Sequence, residues 1–248
     1  MSYGFAAPWE LLRQLVGWDK IPQLLQPDVC REGDPRCWPT VHDQRHVLRK
    51  YSGRAKPRDA SKVAAIEYHQ MDCTMGVSRG QLKAAAGDPR LALRNRVLGQ
   101  PYHVVGLLDG DVIRNHPASR ITFHGNGGND FTIGVGIEGS YPGREKSRST
   151  KHTQLDRIVP IARAALVEAE KMLREARATG PIKINAHRCF TDGRAADPGE
   201  GLWRNTVLWA VDELGLVVDY DITRGSGLPI PVDWDPSAKF TWSGVPRG

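Results

Sequence analysis

The sequence predicts an α/β fold in which a mixed central β-sheet is flanked by helices. Short apolar, partly β-branched runs alternate with helical patterns, one Asp-Gly hairpin signal interrupts them, and one long amphipathic segment follows. The chain has 248 residues, of which 40% are hydrophobic and 25% charged, so it can bury a core without disulfide support. We expect one domain over residues 61–221, an extension at 1–60 and an extended Gly/Pro-rich tail at 222–248.

The N-terminal extension and the first half of the domain are predicted to contain strands and two short helices. An amphipathic pattern at 7–15 predicts a helix within the N-terminal extension. The apolar run Val63–His69 predicts a buried strand, and Ser78 is a suitable cap for a short helix over 78–86. Asp109-Gly110 lies between two apolar runs and predicts a β-hairpin over 101–115. Alternation over 131–139 predicts a further strand.

The second half is dominated by a helical pattern. Apolar residues at helical spacing predict a long amphipathic helix over 150–179, with Pro160 at a kink or near its start. The segment Lys183–His187 predicts a short strand, and 202–214 predicts a last helix with Gly215 at its C-cap.

Composition limits the functional classes. A net charge of +6 favours an anionic partner, such as nucleic acid, anionic lipid or an acidic cell-wall polymer. Lys and Arg are spread along the chain without a nucleic-acid-binding motif, so we expect no nucleic-acid partner. No apolar stretch is long enough to span a membrane. Nothing in the sequence suggests an obligate oligomer, and we expect a monomer.

The cysteines and the N-terminus indicate the cellular compartment. Four cysteines are too few for a disulfide scaffold in a chain of this length; Cys30 and Cys37 can pair across a loop or remain free thiols. The first residues lack a basic region followed by a continuous apolar core, and they carry Glu10 and Arg13. We therefore expect synthesis in the cytoplasm without a classical signal peptide.

Three residues have the character of a hydrolytic metal site. His69 and His187 fall at the ends of predicted strands, where α/β domains place their chemistry. Asp197 follows ten residues after His187, directly before Pro198-Gly199. Two imidazoles and one carboxylate with an open position form a hydrolytic zinc site. Taken singly, each histidine can equally be structural, and Asp197 can be a helix N-cap.

Four segments, in this order, resemble the zinc-dependent N-acetylmuramoyl-L-alanine amidases. This family includes phage amidase endolysins and peptidoglycan recognition proteins. The segments are AIEYHQMD, PYHVVGLLDGDVIRN, FHGNGGNDFTIGVGIEGSY and NAHRCFTDGRAADPG. They span roughly residues 62–215.

The resemblance implies a role for several residues. His69, His187 and Asp197 match the three zinc ligands, and Tyr102 matches the tyrosine that many members place beside the zinc water. Other members use a glutamate as general base, but that position is Gly136 here. Glu138 lies two residues further on the same predicted strand face and is a weaker base candidate.

One further position departs from the pattern of the amidase family, and two others match it. Many active members carry a lysine two residues before the third ligand, where it stabilises the oxyanion; this chain has Ala195. The adjacent Arg194 can reach the same oxygen or contact a substrate carboxylate. His124 and Asn129 match positions that line the substrate groove.

The resemblance implies a peptidoglycan hydrolase that uses Zn²⁺ to cleave the amide between N-acetylmuramic acid and L-alanine of the stem peptide. Without a signal peptide, a phage endolysin or lysin acting at the bacterial cell wall is favoured over a secreted autolysin. Ala195 keeps a second hypothesis open, a peptidoglycan-binding module with little or no catalysis. A DNA-binding protein and a thiol hydrolase using Cys73 or Cys189 are weaker alternatives.

Overall fold

A seven-stranded mixed sheet forms the centre of the molecule. The computed structural model describes residues 39–46, 56–141, 153 and 155–237. The strand order is β1-β5-β4-β7-β3-β8-β9, and β2 and β6 form a separate two-stranded sheet. The strands are β1 (Thr40–Asp43), β2 (Lys56–Pro57), β3 (Ala65–Gln70), β4 (Val104–Gly106), β5 (Asp111–Arg114), β6 (Arg120–Ile121), β7 (Thr132–Ile137), β8 (Lys183–Ala186) and β9 (Val217–Val218).

Strand directions confirm the predicted mixed sheet. Strands β4 and β5 are antiparallel and form the predicted hairpin, in which Gly110 adopts a φ of 102°. The other neighbours in the large sheet run parallel. Parallel neighbours need long crossovers, which explains why helices separate them along the chain.

Helices flank the sheet as predicted, although the sequence analysis did not predict the helix at Pro89–Val97. They are α1 (Arg79–Ala84), α2 (Pro89–Val97), α3 (Leu155–Glu175), α4 (Glu200–Leu202) and α5 (Leu208–Leu214), with a π-helical segment at Trp203–Val207 between the last two. Ser78 caps α1 and also forms a capping box with Gln81. Gly215 ends α5 in the left-handed conformation, as predicted. Pro160 lies inside α3, near its start.

The core lies between the sheet and α3. Every residue of β3 is buried, and α3 packs against β4, β5 and β7. The buried face of α3 contains the predicted apolar stripe, whose buried members include Ile158, Ala162, Ala165, Leu166, Ala169, Met172 and Leu173. Burial of this stripe fixes the sheet from one side.

The sheet and the core extend beyond residues 61–221 at both ends. Strand β1, which lies in the N-terminal extension, pairs with β5 at the edge of the sheet. Ile230 and Trp234, which lie in the C-terminal tail, are buried in the main core. The predicted helix at 7–15 and the Cys30–Cys37 pair lie outside the described residues. Among the described helices, none is long and apolar enough to span a membrane.

Candidate metal centre

Two parallel strands bring His69 and His187 together. Strand β3 pairs with β8 so that Tyr68 lies opposite Ala186. His69 and His187 each come one residue later, at the carboxyl ends of neighbouring strands. Their Nδ1 atoms lie 3.0 Å apart, although 118 residues separate them in sequence.

The loop after β8 brings Asp197 to the same edge. Its Oδ1 accepts the backbone N–H of Gln70 at 2.9 Å, and its Oδ2 lies 2.9 Å from His187 Nδ1. Buried Arg188 holds this loop, because its backbone N–H donates to Asp197 O and its side chain donates to Ala195 O. The carboxylate is thereby fixed against both histidines.

The three side chains fit a divalent metal ion with nitrogen and oxygen ligands. All three are buried, and one potential metal-ligand atom from each lies within 4.8 Å of the other two. Burial lowers the pKa of His69 to about 4, which favours the neutral, ligating imidazole. Burial opposes ionisation of Asp197, but its bonds to His187 and His69 prevail and hold its pKa below the usual value. A neutral imidazole and an ionised carboxylate are the forms that bind zinc.

Glu67 belongs to the site, although the sequence analysis did not identify it. It lies two residues before His69 on β3, so both side chains point to the same face of the sheet. The side chain is fully buried, and burial raises its pKa well above the usual value, with the charge of Asp197 acting in the same direction. The period of two, counted back from His69, is the signal that could have found it.

Glu67, His69 and His124 form a second group that could hold a metal ion. His69 Nε2 lies 3.3 Å from His124 Nδ1, and His124 Nδ1 lies 3.5 Å from Glu67 Oε2. His124 is thus packed against the ligand cluster, where burial lowers its pKa well below the usual value. His69 belongs to both groups and turns one ring nitrogen towards each.

Tyr102 lies beside the cluster. The centres of its ring and the ring of His69 are 5.1 Å apart. Burial raises the pKa of its hydroxyl, and the charge of Asp197 adds to this, so the hydroxyl remains a proton donor at neutral pH. The ring covers Gly136, where a Cβ would lie 2.5 Å from Tyr102 Cδ2. The tyrosine ring therefore fills the space beside Gly136.

Arg194 is exposed close to the site. After burial, its positive charge contributes to the lowered pKa of His69, and it opposes the burial that raises the pKa of Tyr102. Ala195 contributes no side-chain donor, and its carbonyl oxygen is taken by Arg188. Arg194 is thus the charged side chain directly beside Ala195 in the loop that leads to Asp197.

Two other predicted site residues make contacts within the protein. Glu138 accepts the backbone N–H of Met75 at 2.5 Å and that of Leu108 at 2.8 Å, one at each carboxylate oxygen. Asn129 accepts from Gly125 N and donates to Asn126 O, which closes the loop before β7. These contacts give Glu138 and Asn129 a positioning role for nearby loops.

The described cysteines do not resemble nucleophiles. Cys189 is fully buried, and burial raises its pKa to about 12. Cys73 is exposed as a residue, and the partial burial of its sulfur, together with the nearby charge of Glu138, raises its pKa as well. A nucleophilic cysteine needs a lowered pKa, so the thiol hydrolase hypothesis gains no support.

Comparison with known proteins gives structural similarities at low sequence identity. No family model and no curated protein sequence matches this chain. The amidase LysC from Clostridium intestinale URNW is 15% identical, with 72% of this chain and 99% of that chain covered and a TM-score of 0.43. Bumblebee PGRP-SA is 16% identical (72% and 98% covered, TM-score 0.44). Drosophila PGRP-LB is 13% identical (69% and 94% covered, TM-score 0.41).

Proposed function

We propose that this protein is a zinc-dependent N-acetylmuramoyl-L-alanine amidase. The observation that carries the proposal is the meeting of His69, His187 and Asp197 at one edge of the sheet. Two imidazoles and a carboxylate leave a coordination position open for water or substrate. The four sequence segments that resemble the amidases supply the substrate class.

His69, His187 and Asp197 would hold the zinc ion. When bound, the ion lowers the pKa of a water molecule and polarises the scissile carbonyl. The backbone N–H of Gln70 and the contact with His187 orient the carboxylate of Asp197 towards the histidines. The burial of His69 keeps its imidazole neutral and available as a ligand.

Tyr102 and Arg194 would stabilise negative charge on the substrate. The Tyr102 hydroxyl keeps its proton at neutral pH and can donate it in a hydrogen bond to the developing oxyanion. Arg194 supplies a positive charge from the exposed side. We assign Glu138 a structural role, because both its oxygens accept backbone N–H groups. Substrate contacts by His124 and Asn129 stay predictions.

The proposed substrate is the amide between N-acetylmuramic acid and L-alanine in peptidoglycan. A net charge of +6 suits an anionic wall polymer. Action at the bacterial cell wall, as a phage endolysin or lysin, follows from the sequence resemblance and forms part of the proposal.

The test combines metal content with cleavage of purified cell walls. We expect about one zinc ion per chain, clearing of wall turbidity that a chelator abolishes, and new N-terminal alanine on the released stem peptides. His187→Ala removes a ligand and should abolish both zinc binding and clearing. The matched control is His42→Ala, at a sheet-edge histidine whose side chain is 27% exposed; this variant should retain both.

A second candidate function is a peptidoglycan-binding module, which Ala195 favours. Loss of one oxyanion donor costs about 100- to 1000-fold in rate. Zinc binding and wall binding without any release of N-terminal alanine would support the module over the enzyme. Absence of zinc from the folded protein would contradict the metal centre itself.

A further inference from the structure

A buried carboxylate oxygen lies behind the metal centre without a hydrogen-bond partner. Glu67 is fully buried, and its Oε1 accepts no hydrogen bond from any described residue. The other oxygen, Oε2, lies 3.3 Å from the donating hydroxyl of Thr132. An unpaired buried carboxylate is costly, so this position calls for a donor.

Two imidazole nitrogens face that oxygen. Glu67 Oε1 lies 3.6 Å from His69 Nε2 and 3.9 Å from His187 Nε2. The latter nitrogen is itself buried without a hydrogen-bond partner among the described residues. A movement of roughly 0.5 to 1 Å brings either pair to hydrogen-bond length. Both rings turn their other nitrogen, Nδ1, towards each other and Asp197.

The surroundings of Glu67 offer it no other cation. Within the described part of the chain, only histidines lie within ion-pair distance of its carboxylate. The backbone of the loop before β7 is closely packed on it, because a Cβ on Gly125 or Gly128 would overlap the carboxylate. The chain therefore holds this carboxylate against the histidines rather than against solvent.

We propose that Glu67 is a positioning residue that fixes the ring orientation of both metal-binding histidines. Its Oε1 accepts the Nε2–H of His69 and of His187, which leaves both Nδ1 lone pairs directed at the metal. Metal-binding histidines commonly donate their second ring nitrogen to a carboxylate in this way. The inference rests on the proposed zinc site and extends it to a residue outside the ligand set.

In the alternative, Glu67 binds a second ion together with His69 and His124, and this requires a different protonation state of the His69 ring. The ring would have to bind one ion through Nδ1 and another through Nε2, which requires loss of its remaining ring proton. The positioning role keeps that proton on Nε2 and predicts one ion per chain. Metal stoichiometry therefore separates the two.

The test measures zinc affinity and ring protonation in the full chain. Zinc affinity is obtained by competition with a chromophoric chelator, and ¹⁵N NMR of the histidine side chains reports which nitrogen carries the proton. We expect Glu67→Ala to weaken zinc binding about 10- to 100-fold and to shift the Nε2 signals of His69 and His187. Glu67→Gln retains an acceptor oxygen of nearly the same shape and should restore most of the affinity.

A matched control separates this role from loss of a buried charge elsewhere. Glu168 on α3 is also buried, but it pairs with Arg114 of β5 and with Lys171. Glu168→Gln should therefore leave the zinc affinity and the histidine signals unchanged. Unchanged affinity and unchanged Nε2 signals in both Glu67 variants would overturn the inference while leaving the zinc site intact. Two ions per chain, one of them lost in Glu67→Ala, would assign Glu67 as a ligand instead. A wild-type protein without zinc would overturn both proposals.

Discussion

Gly136 determines where the Tyr102 ring can lie. The glycine is on β7 opposite His69, and the tyrosine ring packs directly over its Cα. Any side chain at this position has to compete with the ring for the same space. A glutamate at this position would be incompatible with this placement of Tyr102.

We expect Gly136→Ala to displace Tyr102 and to lower wall hydrolysis. The added Cβ would approach Tyr102 Cδ2 to 2.5 Å, and such overpacking costs about 1–3 kcal/mol of stability. A displacement of about 1 Å at a catalytic group can reduce the rate roughly 100-fold. The measurement is the rate of N-terminal alanine release, at a temperature where circular dichroism shows the variant folded.

Tyr102→Phe provides the background that isolates this effect. The variant keeps the ring and removes the hydroxyl, so it should retain zinc. If Gly136→Ala acts through Tyr102, it should cost much less additional activity in the Tyr102→Phe background. An equal loss in both backgrounds would show that Gly136 acts by another route.

At the level of single residues, the sequence brought out the three candidate metal ligands, but not the side chains packed around them. His69, His187 and Asp197 follow from strand ends and a Pro-Gly turn, together with the family resemblance. Glu67 was missed because a glutamate within an apolar run carries no sign of complete burial. The contacts of Glu138 are likewise invisible in sequence, since its partners are backbone amides of distant loops.

Helix α2 is the helix that the sequence analysis overlooked. Its polar sequence, PRLALRNRV, has a weak apolar stripe, with only Ala92 and Val97 buried. The start signal was present, because Asp88 caps the helix and Pro89 occupies its first turn. Strands β3, β7 and β8 were predictable because each is an apolar run near the middle of the sheet.

We expect Asp88→Ala to weaken α2 and to lower the free energy of unfolding by about 1 kcal/mol. The Asp88 carboxylate accepts the N–H groups of Arg90 and Leu91, which otherwise have no partner within the helix. Urea denaturation followed by circular dichroism measures the change. Asp88→Asn retains the acceptor and should lie close to wild type; equal losses in both variants would argue against the cap.

At the scale of the whole molecule, the C-terminal segment is part of the core. Trp234 is buried against Trp203, and the guanidinium of Arg188 lies 4.8 Å from the centre of its ring. Arg188 also holds the loop that carries Asp197. Composition alone pointed to an extended tail, because the segment is rich in Gly and Pro and shows no helical or strand periodicity.

We expect Trp234→Ala to destabilise the protein by about 3–5 kcal/mol, as for other large core truncations. The same change should weaken zinc binding, since Arg188 loses its packing partner next to the Asp197 loop. Thermal unfolding and chelator competition measure the two effects. Val232→Ala, at a position 45% exposed, is the control and should change stability by less than about 0.5 kcal/mol. Similar stability of the two variants would contradict a core role for the tail.

The pairing of β3 with β8 has a consequence for the stability of the native state. His69 and His187 are 118 residues apart along the chain, so an unfolded molecule has no preformed chelate. An ion held between them acts as a reversible cross-link that is available only to the folded chain. At a free ion concentration of a hundred times Kd, this linkage adds about 2.7 kcal/mol to the free energy of unfolding. Metal supply would then set the resistance of the protein to heat and proteolysis as well as its chemistry.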